Sequence, residues 1–313
     1  MTELQRYLAE EVAEDHVDGI ITRREAVRRL GLLGVSGGAA LAMLGAAASE
    51  AAAAKQGGGK GRSGKGGGRG GSRGKVVDWA PVATQPITFA GPRGTLMAAW
   101  APAAGKAHGA VLVIHENRGL NDHIRNVAGR FAASGYSALA LDLLSEEGGT
   151  GAFPGEAEVG AALSAAPPER FDADMKAAVT ELRRRVPRKP TNAIGFCFGG
   201  GMIWRLLAAG EKRLDAAAPF YGPFPTGGDL SNAKADVLGV YGGLDTRVNA
   251  TRDAARAALE AARLKYQILT FTEADHAFFN ETGPRFNAPA AEEAWRRVLG
   301  LFGKSGHHRG DDD

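Results

Sequence analysis

The stretch Gly195–Gly201, which reads Gly-Phe-Cys-Phe-Gly-Gly-Gly, decides the fold of this chain. Its centre is Cys197, the only cysteine among 313 residues. Glycines two positions to either side of a reactive residue are typical of the sharp strand-to-helix turn at the edge of a parallel sheet. The flanking sequence agrees, since residues 191–194 predict a short buried strand and residues 202–209 predict a helix.

A cysteine at the start of a helix is suited to chemistry. The helix macrodipole would stabilise its thiolate form. The alternative is a structural cysteine buried in a glycine-rich turn, because lone cysteines commonly pack in cores. The turn alone leaves both interpretations open.

The sequence from residue 76 to residue 304 predicts an α/β domain with a mostly parallel central sheet and helices on both faces. Short apolar runs alternate there with segments of helical periodicity. The predicted strands are 85–89 and 95–101, forming an antiparallel hairpin, then 110–114, 136–141, 191–194, 216–221, 237–241 and 266–271. The predicted helices are 124–134, 171–185, 202–209, 247–263 and 288–302, with a Gly- and Pro-rich loop over 147–168.

Two polar residues follow later predicted strands. Asp245 follows 237–241, and His276 follows 266–271. Ligands of parallel sheets bind beyond the carboxyl ends of the strands, so these side chains can meet Cys197. A carboxylate can orient an imidazole, and a neutral imidazole can deprotonate a thiol. The other interpretations are a helix cap for Asp245 and an ordinary loop position for His276; Asp275 is a weaker partner for His276.

A third polar segment, His115–Asn121, follows the predicted strand 110–114. Glu116 in this loop can hold the resting thiol, or it can be a surface residue that pairs with Arg118. The histidines at 115, 123, 307 and 308 show no metal-binding spacing. We therefore expect neither a metal nor a cofactor.

These four motifs together resemble the dienelactone hydrolase (carboxymethylenebutenolidase-like) family. They are His115–Asn121, Gly195–Gly200, the Gly-Gly-Leu-Asp of 242–245 and the Asp-His-Ala-Phe of 275–278. The order nucleophile, acid, histidine is that of α/β-hydrolases. The resemblance covers roughly residues 82–302 and implies an α/β-hydrolase fold.

The resemblance also implies roles for individual residues. Cys197 would be the nucleophile, His276 the base, Asp245 its partner and Glu116 the residue that activates the resting thiol. The backbone N–H groups of Phe198 and Asn117 would form the oxyanion hole. The reaction implied is hydrolysis of a small ester or lactone through an acyl-enzyme.

One position departs from the family pattern. Asn280, four residues after His276, stands where the family places an arginine that binds the substrate carboxylate. We take Asn280 as a substrate-binding candidate, and its neutral amide favours a neutral ester or a different lactone.

The N-terminal segment, residues 1–54, resembles a twin-arginine export signal. Arg23 and Arg24 precede an apolar, small-residue stretch over 30–48, and Ala46–Ala48 offers a cleavage site. We expect export by the twin-arginine machinery; the alternative is a short amphipathic or disordered N-terminal arm on a cytoplasmic protein. Residues 5–18 predict an acidic amphipathic helix.

Residues 55–75 predict a flexible linker. They include eleven glycines, seven Lys or Arg and no acidic residue. The linker has a charge of +7, whereas the whole chain has a net charge of +3. The residues outside the linker therefore have a net charge of −4. No aromatic residue interleaves the basic run, and we expect no nucleic-acid binding. The polar tail, 305–313, predicts disorder.

Two further classes of function compete with a cysteine hydrolase. One is a catalytically silent α/β-hydrolase scaffold used for binding. The other is a serine-type esterase or peptidase, although the chain contains no Gly-x-Ser-x-Gly.

Overall fold

The computed structural model describes residues 1–57 and 80–304. The chain divides into two compact units, Met1–Asp78 with Gly160–Ala165, and Trp79–Val159 with Ala166–Asp313. The predicted tail over 305–313 lies outside the described residues, as do residues 58–75 of the predicted linker. The proposed domain boundaries therefore stay predictions.

Among residues 1–57, the first unit contains three helices, α1 (Glu3–Val17), α2 (Arg23–Leu32) and α3 (Gly37–Gly57). Thr2 and Thr22 begin the first two by accepting hydrogen bonds from the backbone N–H groups of Gln5 and Glu25. Helix α1 confirms the helix expected over 5–18. Helix α3 extends to residue 57, which is two residues past the predicted start of the linker. Within the described part of the chain, no helix has the length and apolar character needed to cross a membrane.

The second unit is built on an eight-stranded sheet. Its strands are β1 (Gln85–Gly91), β2 (Gly94–Ala101), β3 (Gly109–Ile114), β4 (Tyr136–Asp142), β5 (Thr191–Phe196), β6 (Ala216–Phe220), β7 (Asp236–Gly242) and β8 (Tyr266–Phe271). Their order is β1-β2-β4-β3-β5-β6-β7-β8. The first two strands pair antiparallel, as the predicted hairpin requires, and β2 also pairs antiparallel with β4. All pairs from β4 to β8 are parallel.

The helices of this unit are α4 (Asp122–Ala133), α5 (Glu156–Ala165, whose last residues belong to the first unit), α6 (Pro168–Arg185), α7 (Phe198–Ala208), α8 (Thr246–Asn249), α9 (Arg252–Ala261) and α10 (Ala288–Lys304). Right-handed crossovers place α4 on one face of the sheet and α6, α7 and α9 on the other. Helix α10 joins α4, where Phe131 packs on Trp295 with ring centroids 4.5 Å apart. Strands β3 to β6 are buried along their full length, which is why they read as continuous apolar runs.

Three local predictions were wrong. Helix α5 lies inside the stretch expected to be a loop, because Glu156–Ala165 is composed mainly of Ala and Glu and the glycines and prolines cluster before and after it. The helix expected over 247–263 is two helices, and Thr251 bonds the Val248 carbonyl oxygen at the break through its hydroxyl (2.8 Å). Helix α7 begins at Phe198, four residues earlier than expected.

The early start of α7 is explained by contacts of its glycines. A Cβ on Gly199 would lie 2.5 Å from the carbonyl oxygens of Ile114 and His115, and one on Gly200 would lie 2.3 Å from that of Phe220. A Cβ on Gly195 would lie 2.1 Å from the Gly199 oxygen. The glycines therefore do not break the helix. They let its first turn pack directly on the ends of β3 and β6.

The strand order reverses around β3, which has β4 on one side and β5 on the other. The chain leaves β3 and β5 at the same edge of the sheet, on either side of this switch point. Crevices that bind ligands form at such points in open α/β sheets. The loop after β3 and the turn after β5 are therefore neighbours by topology.

Substituting Gly199 by alanine tests this packing. Overpacking of this kind costs about 1–3 kcal/mol of unfolding free energy, or more where backbone cannot move. Gly201→Ala is the matched control: it lies in the same helix, gains the same helix propensity, and the nearest atom to its Cβ would be Pro223 Cδ at 3.3 Å. We expect urea unfolding to show Gly199→Ala as the less stable of the two. Equal stabilities would contradict this explanation.

Candidate active site

The turn at Cys197 has the strained backbone expected of a nucleophile-bearing turn. Cys197 has φ 55° and ψ −119°, outside the regions that a residue with a Cβ ordinarily adopts. Its N–H donates to the Phe220 carbonyl oxygen (3.0 Å), and its own carbonyl accepts from Gly201 N–H (3.1 Å). These bonds hold the turn in place. The Cys197 side chain, 1% exposed, sits at the N-terminus of α7.

The structure brings His276 and Asp245 together, as the sequence predicts. His276 Nδ1 lies 2.6 Å from Asp245 Oδ2, and both side chains are buried. A ring nitrogen of His276 lies within 4.8 Å of Cys197 Sγ. Because Nδ1 faces the carboxylate, Nε2 is the nitrogen available to the thiol.

Asp245 performs the two roles that the sequence left as alternatives. Its Oδ2 accepts from His276, while its Oδ1 accepts from Val248 N–H (3.0 Å) at the start of α8. Asp275 instead accepts a hydrogen bond from the His276 backbone N–H (2.7 Å). Asp245, not Asp275, is therefore the partner of the imidazole.

The electrostatics of this pair favour its charged form. Burial lowers the pKa of His276, but the charge and hydrogen bond of Asp245, together with Cys197, outweigh burial and hold that pKa well above its usual value. Burial raises the pKa of Asp245, but its contacts with His276 and the Arg247 charge outweigh burial and lower it. An imidazolium at position 276 is therefore stabilised beside the sulfur.

Glu116 lies inside the site, not on the surface. It is 3% exposed, and its Oε2 accepts from Asn280 Nδ2 (2.8 Å). Its Oε1 is buried with no hydrogen-bond partner among the described residues. Arg118, the alternative partner of Glu116, instead lies 3.5 Å from Glu156.

Asn280 is fixed in orientation by contacts on both sides of its amide. Its Oδ1 accepts from the Thr282 hydroxyl (2.7 Å) and from Thr282 N–H (3.0 Å). Its Nδ2 is therefore the atom that faces Glu116. The structure places this residue against Glu116; its role as a substrate contact stays a prediction.

Tyr221 is a site residue that the sequence analysis missed. It directly follows β6, has φ 34°, and packs its ring against His276 with centroids 5.2 Å apart. Burial and the charges of Glu116 and Cys197 raise the pKa of Tyr221 well above its usual value, so its hydroxyl keeps its proton. Its place at the end of the predicted strand 216–221 was the only signal in the sequence.

The two backbone groups expected to form an oxyanion hole lie on the expected elements. Phe198 is the first residue of α7, and Asn117 belongs to the loop after β3. The approach of Gly199 to the His115 carbonyl brings these two segments into contact. The arrangement combines a thiol with an imidazole–carboxylate pair, and acyl transfer requires these parts together with the expected backbone donors.

Comparison with known proteins is consistent with this geometry. Residues 97–306 match the model of the dienelactone hydrolase family. A carboxymethylenebutenolidase homologue of Escherichia coli is 31% identical, over 63% of this chain and 77% of the relative. Another from Saccharolobus solfataricus is 30% identical, over 60% of this chain and 86% of the relative.

Solved structures of dienelactone hydrolases and related enzymes are also similar to this chain. A dienelactone hydrolase homologue of Klebsiella pneumoniae subsp. pneumoniae has a TM-score of 0.62 and 26% identity, covering 70% of this chain and 97% of that one. A dienelactone hydrolase-like promiscuous phosphotriesterase from metagenomic libraries has a TM-score of 0.59 and 25% identity, covering 71% and 97%.

Asp245→Asn tests the assignment of the imidazole partner. The amide can still cap α8 but cannot balance an imidazolium, so we expect kcat to fall by roughly 10⁴-fold. We also expect the pKa of His276 to fall, as measured by NMR titration. The matched control is Asp275→Asn, which changes only a backbone contact of His276. A loss of activity as large in this control would contradict the assignment.

The same substitution has a signature in stability against pH. The raised pKa of His276 adds stability below its unfolded value of about 6.5, and this stability is lost as pH rises through the folded value. The lowered pKa of Asp245 adds stability above its unfolded value of about 3.9, and this is lost as pH falls. The difference in unfolding free energy between wild type and Asp245→Asn should therefore be largest between about pH 4 and 6.5.

Proposed function

The chain belongs to the dienelactone hydrolase family, and we propose that it cleaves neutral ester or lactone bonds through an acyl-enzyme on Cys197. Membership of the family makes it a hydrolase of ester or lactone bonds. The cysteine mechanism is supported above all by one observation. The strained Cys197 lies beside a buried His276 whose Nδ1 is 2.6 Å from Asp245.

In the first half of the reaction, His276 Nε2 takes the thiol proton of Cys197, and the thiolate attacks the carbonyl carbon. A C–S bond forms, and the π electrons move to the carbonyl oxygen. The N–H groups of Phe198 and Asn117 stabilise this oxyanion. The tetrahedral species then collapses, the C–O bond breaks, and the leaving alkoxide takes the proton from the imidazolium.

In the second half, water hydrolyses the thioester. His276 takes a proton from the water as it attacks, and the second tetrahedral species collapses to the carboxylic acid and the Cys197 thiol. For a lactone the alkoxide stays attached to the acyl group, so a single hydroxy acid is released. Asp245 keeps the imidazole oriented and stabilises its charged form throughout.

Glu116 is proposed to act on the resting thiol. Its Oε1 is buried in the site and makes no hydrogen bond among the described residues, while Asn280 holds Oε2, and the charges of both Glu116 and Cys197 act on Tyr221. A carboxylate in that position can accept a hydrogen bond from the thiol and help to deliver a thiolate. The partner of Glu116 at position 280 is an uncharged amide, which supports a neutral substrate over one that carries a carboxylate.

Hydrolysis of a neutral activated ester by wild type and Cys197→Ala tests the proposal. We expect the variant to lose on the order of 10⁴–10⁶ in kcat, because the nucleophile is absent. Mass spectrometry of the quenched wild type should show one acyl adduct on the peptide that contains Cys197. Equal rates for both proteins would indicate a silent scaffold, and activity that survives thiol alkylation would indicate a serine-type enzyme.

We also propose that residues 1–54 direct export by the twin-arginine machinery. Arg23 and Arg24 are exposed at the first turn of α2, where a receptor can reach them. The alternative is a cytoplasmic protein with a helical arm.

The N-terminus of the native protein tests this location. We expect cleavage near Ala46–Ala48, detected by N-terminal sequencing of protein recovered from its own cells. A double variant, Arg23→Lys with Arg24→Lys, keeps the charge and should remain uncleaved if the paired arginines are read. A native chain that starts at Met1 or Thr2 would count against export.

A further inference from the structure

His115 is a fully buried residue for which the proposed reaction has no use. It directly follows β3 and is 0% exposed. Its Nδ1 lies 2.6 Å from the carbonyl oxygen of Glu116, and its Nε2 lies 3.2 Å from the backbone nitrogen of Leu143. Both ring nitrogens therefore contact backbone groups.

These two contacts fix the tautomer of the ring. A backbone N–H can only donate, so Nε2 must be the acceptor of the bond from Leu143. Nδ1 then carries the proton and donates it to the Glu116 carbonyl. Burial lowers the pKa of His115 despite the nearby charges of Asp142 and Glu116, which agrees with a neutral ring.

The bond to the Glu116 carbonyl controls the next backbone donor. The peptide between Glu116 and Asn117 is planar and trans, so its C=O and N–H point in opposite directions. Holding the Glu116 oxygen therefore sets the direction of the Asn117 N–H. The Glu116 oxygen also accepts from Gly119 N–H (3.2 Å), which closes the loop into a turn.

The face of the same ring contacts the other proposed donor residue. His115 stacks on Phe198, with ring centroids 6.2 Å apart and an angle of 18° between planes. Phe198 also makes an edge-to-face contact with Phe171, with ring centroids 5.7 Å apart. One side chain thus touches both segments that carry the oxyanion-hole N–H groups.

We propose that His115 is a positioning residue that sets the spacing and direction of the two oxyanion donors, Asn117 N–H and Phe198 N–H. This inference rests on the proposed acyl-transfer function. The hydrogen bond from Leu143 holds His115 at the end of β4. The ring in turn holds the loop after β3 through the Glu116 carbonyl and the first turn of α7 through Phe198. It remains neutral and exchanges no proton with substrate.

Three substitutions separate the contacts of the ring. His115→Phe keeps the stack and loses both hydrogen bonds. His115→Gln places an amide where it can still accept from Leu143 but loses the δ donor. His115→Asn keeps a donor at the δ position that can reach the Glu116 carbonyl.

The measurement compares acylation with alkylation in each variant. Acylation by a neutral activated ester passes through an oxyanion, whereas alkylation of Cys197 by iodoacetamide does not. We expect His115→Phe and His115→Gln to acylate about 10²-fold more slowly, as small misplacements do, with little change in KM. The alkylation rate should stay within about threefold of wild type, and His115→Asn should recover much of the acylation rate.

The outcomes distinguish this inference from the proposed function. Acylation at the wild-type rate in all three variants would overturn the role of His115, as would an equal fall in acylation and alkylation. Failure of His115→Asn to exceed His115→Gln would also overturn it, since the δ donor would then have no part. Wild-type turnover that survives alkylation would count against the acyl-enzyme itself, before any His115 variant is measured.

Discussion

The close approach of the first turn of α7 to the ends of β3 and β6 is the contact on which the site depends. It requires glycine at 195, 199 and 200, because a Cβ at any of them would lie within 2.5 Å of backbone atoms. This packing holds Cys197 at φ 55°, a conformation that costs free energy on its own and persists because its surroundings over-determine it. The hydrogen bond from Cys197 N–H to the Phe220 carbonyl oxygen extends the pairing of β5 with β6 by one residue and further restrains the turn.

The polar groups of the site are buried, and pairwise hydrogen bonds fix the orientation of their side chains. Asp245 holds His276, Asn280 holds Glu116, and His115 holds the Glu116 carbonyl. Such networks are strong in a low dielectric when their groups are paired and costly when they are not. In the proposed function, Glu116 Oε1, which is buried and makes no hydrogen bond among the described residues, is the atom that accepts the resting thiol.

The sequence predicted the α/β fold, the strand-helix turn and the relation of His276 to Asp245, because these depend on local patterns and on chain order. It did not predict Tyr221, whose residue type gives no sign of a positive φ or of a neighbouring carboxylate. It also missed helix α5, since flanking glycines and prolines obscured a short run of helix formers. The part played by His115 was not predictable either, because its partners at 116 and 143 meet only after β3 and β4 are paired.

The residues of the site come from the loops after five strands: β3 supplies Glu116, β5 Cys197, β6 Tyr221, β7 Asp245 and β8 His276. No two of these neighbour each other along the chain, and β8 is an edge strand added last in sequence. A fragment that ends before β8 would contain Cys197, the proposed nucleophile, without His276, the proposed base. Turnover therefore reports on the completed sheet, and recovery of activity after dilution from denaturant should lag behind recovery of secondary structure. For this enzyme, a measurement of the hydrolysis rate therefore also measures the fraction of molecules whose sheet is complete.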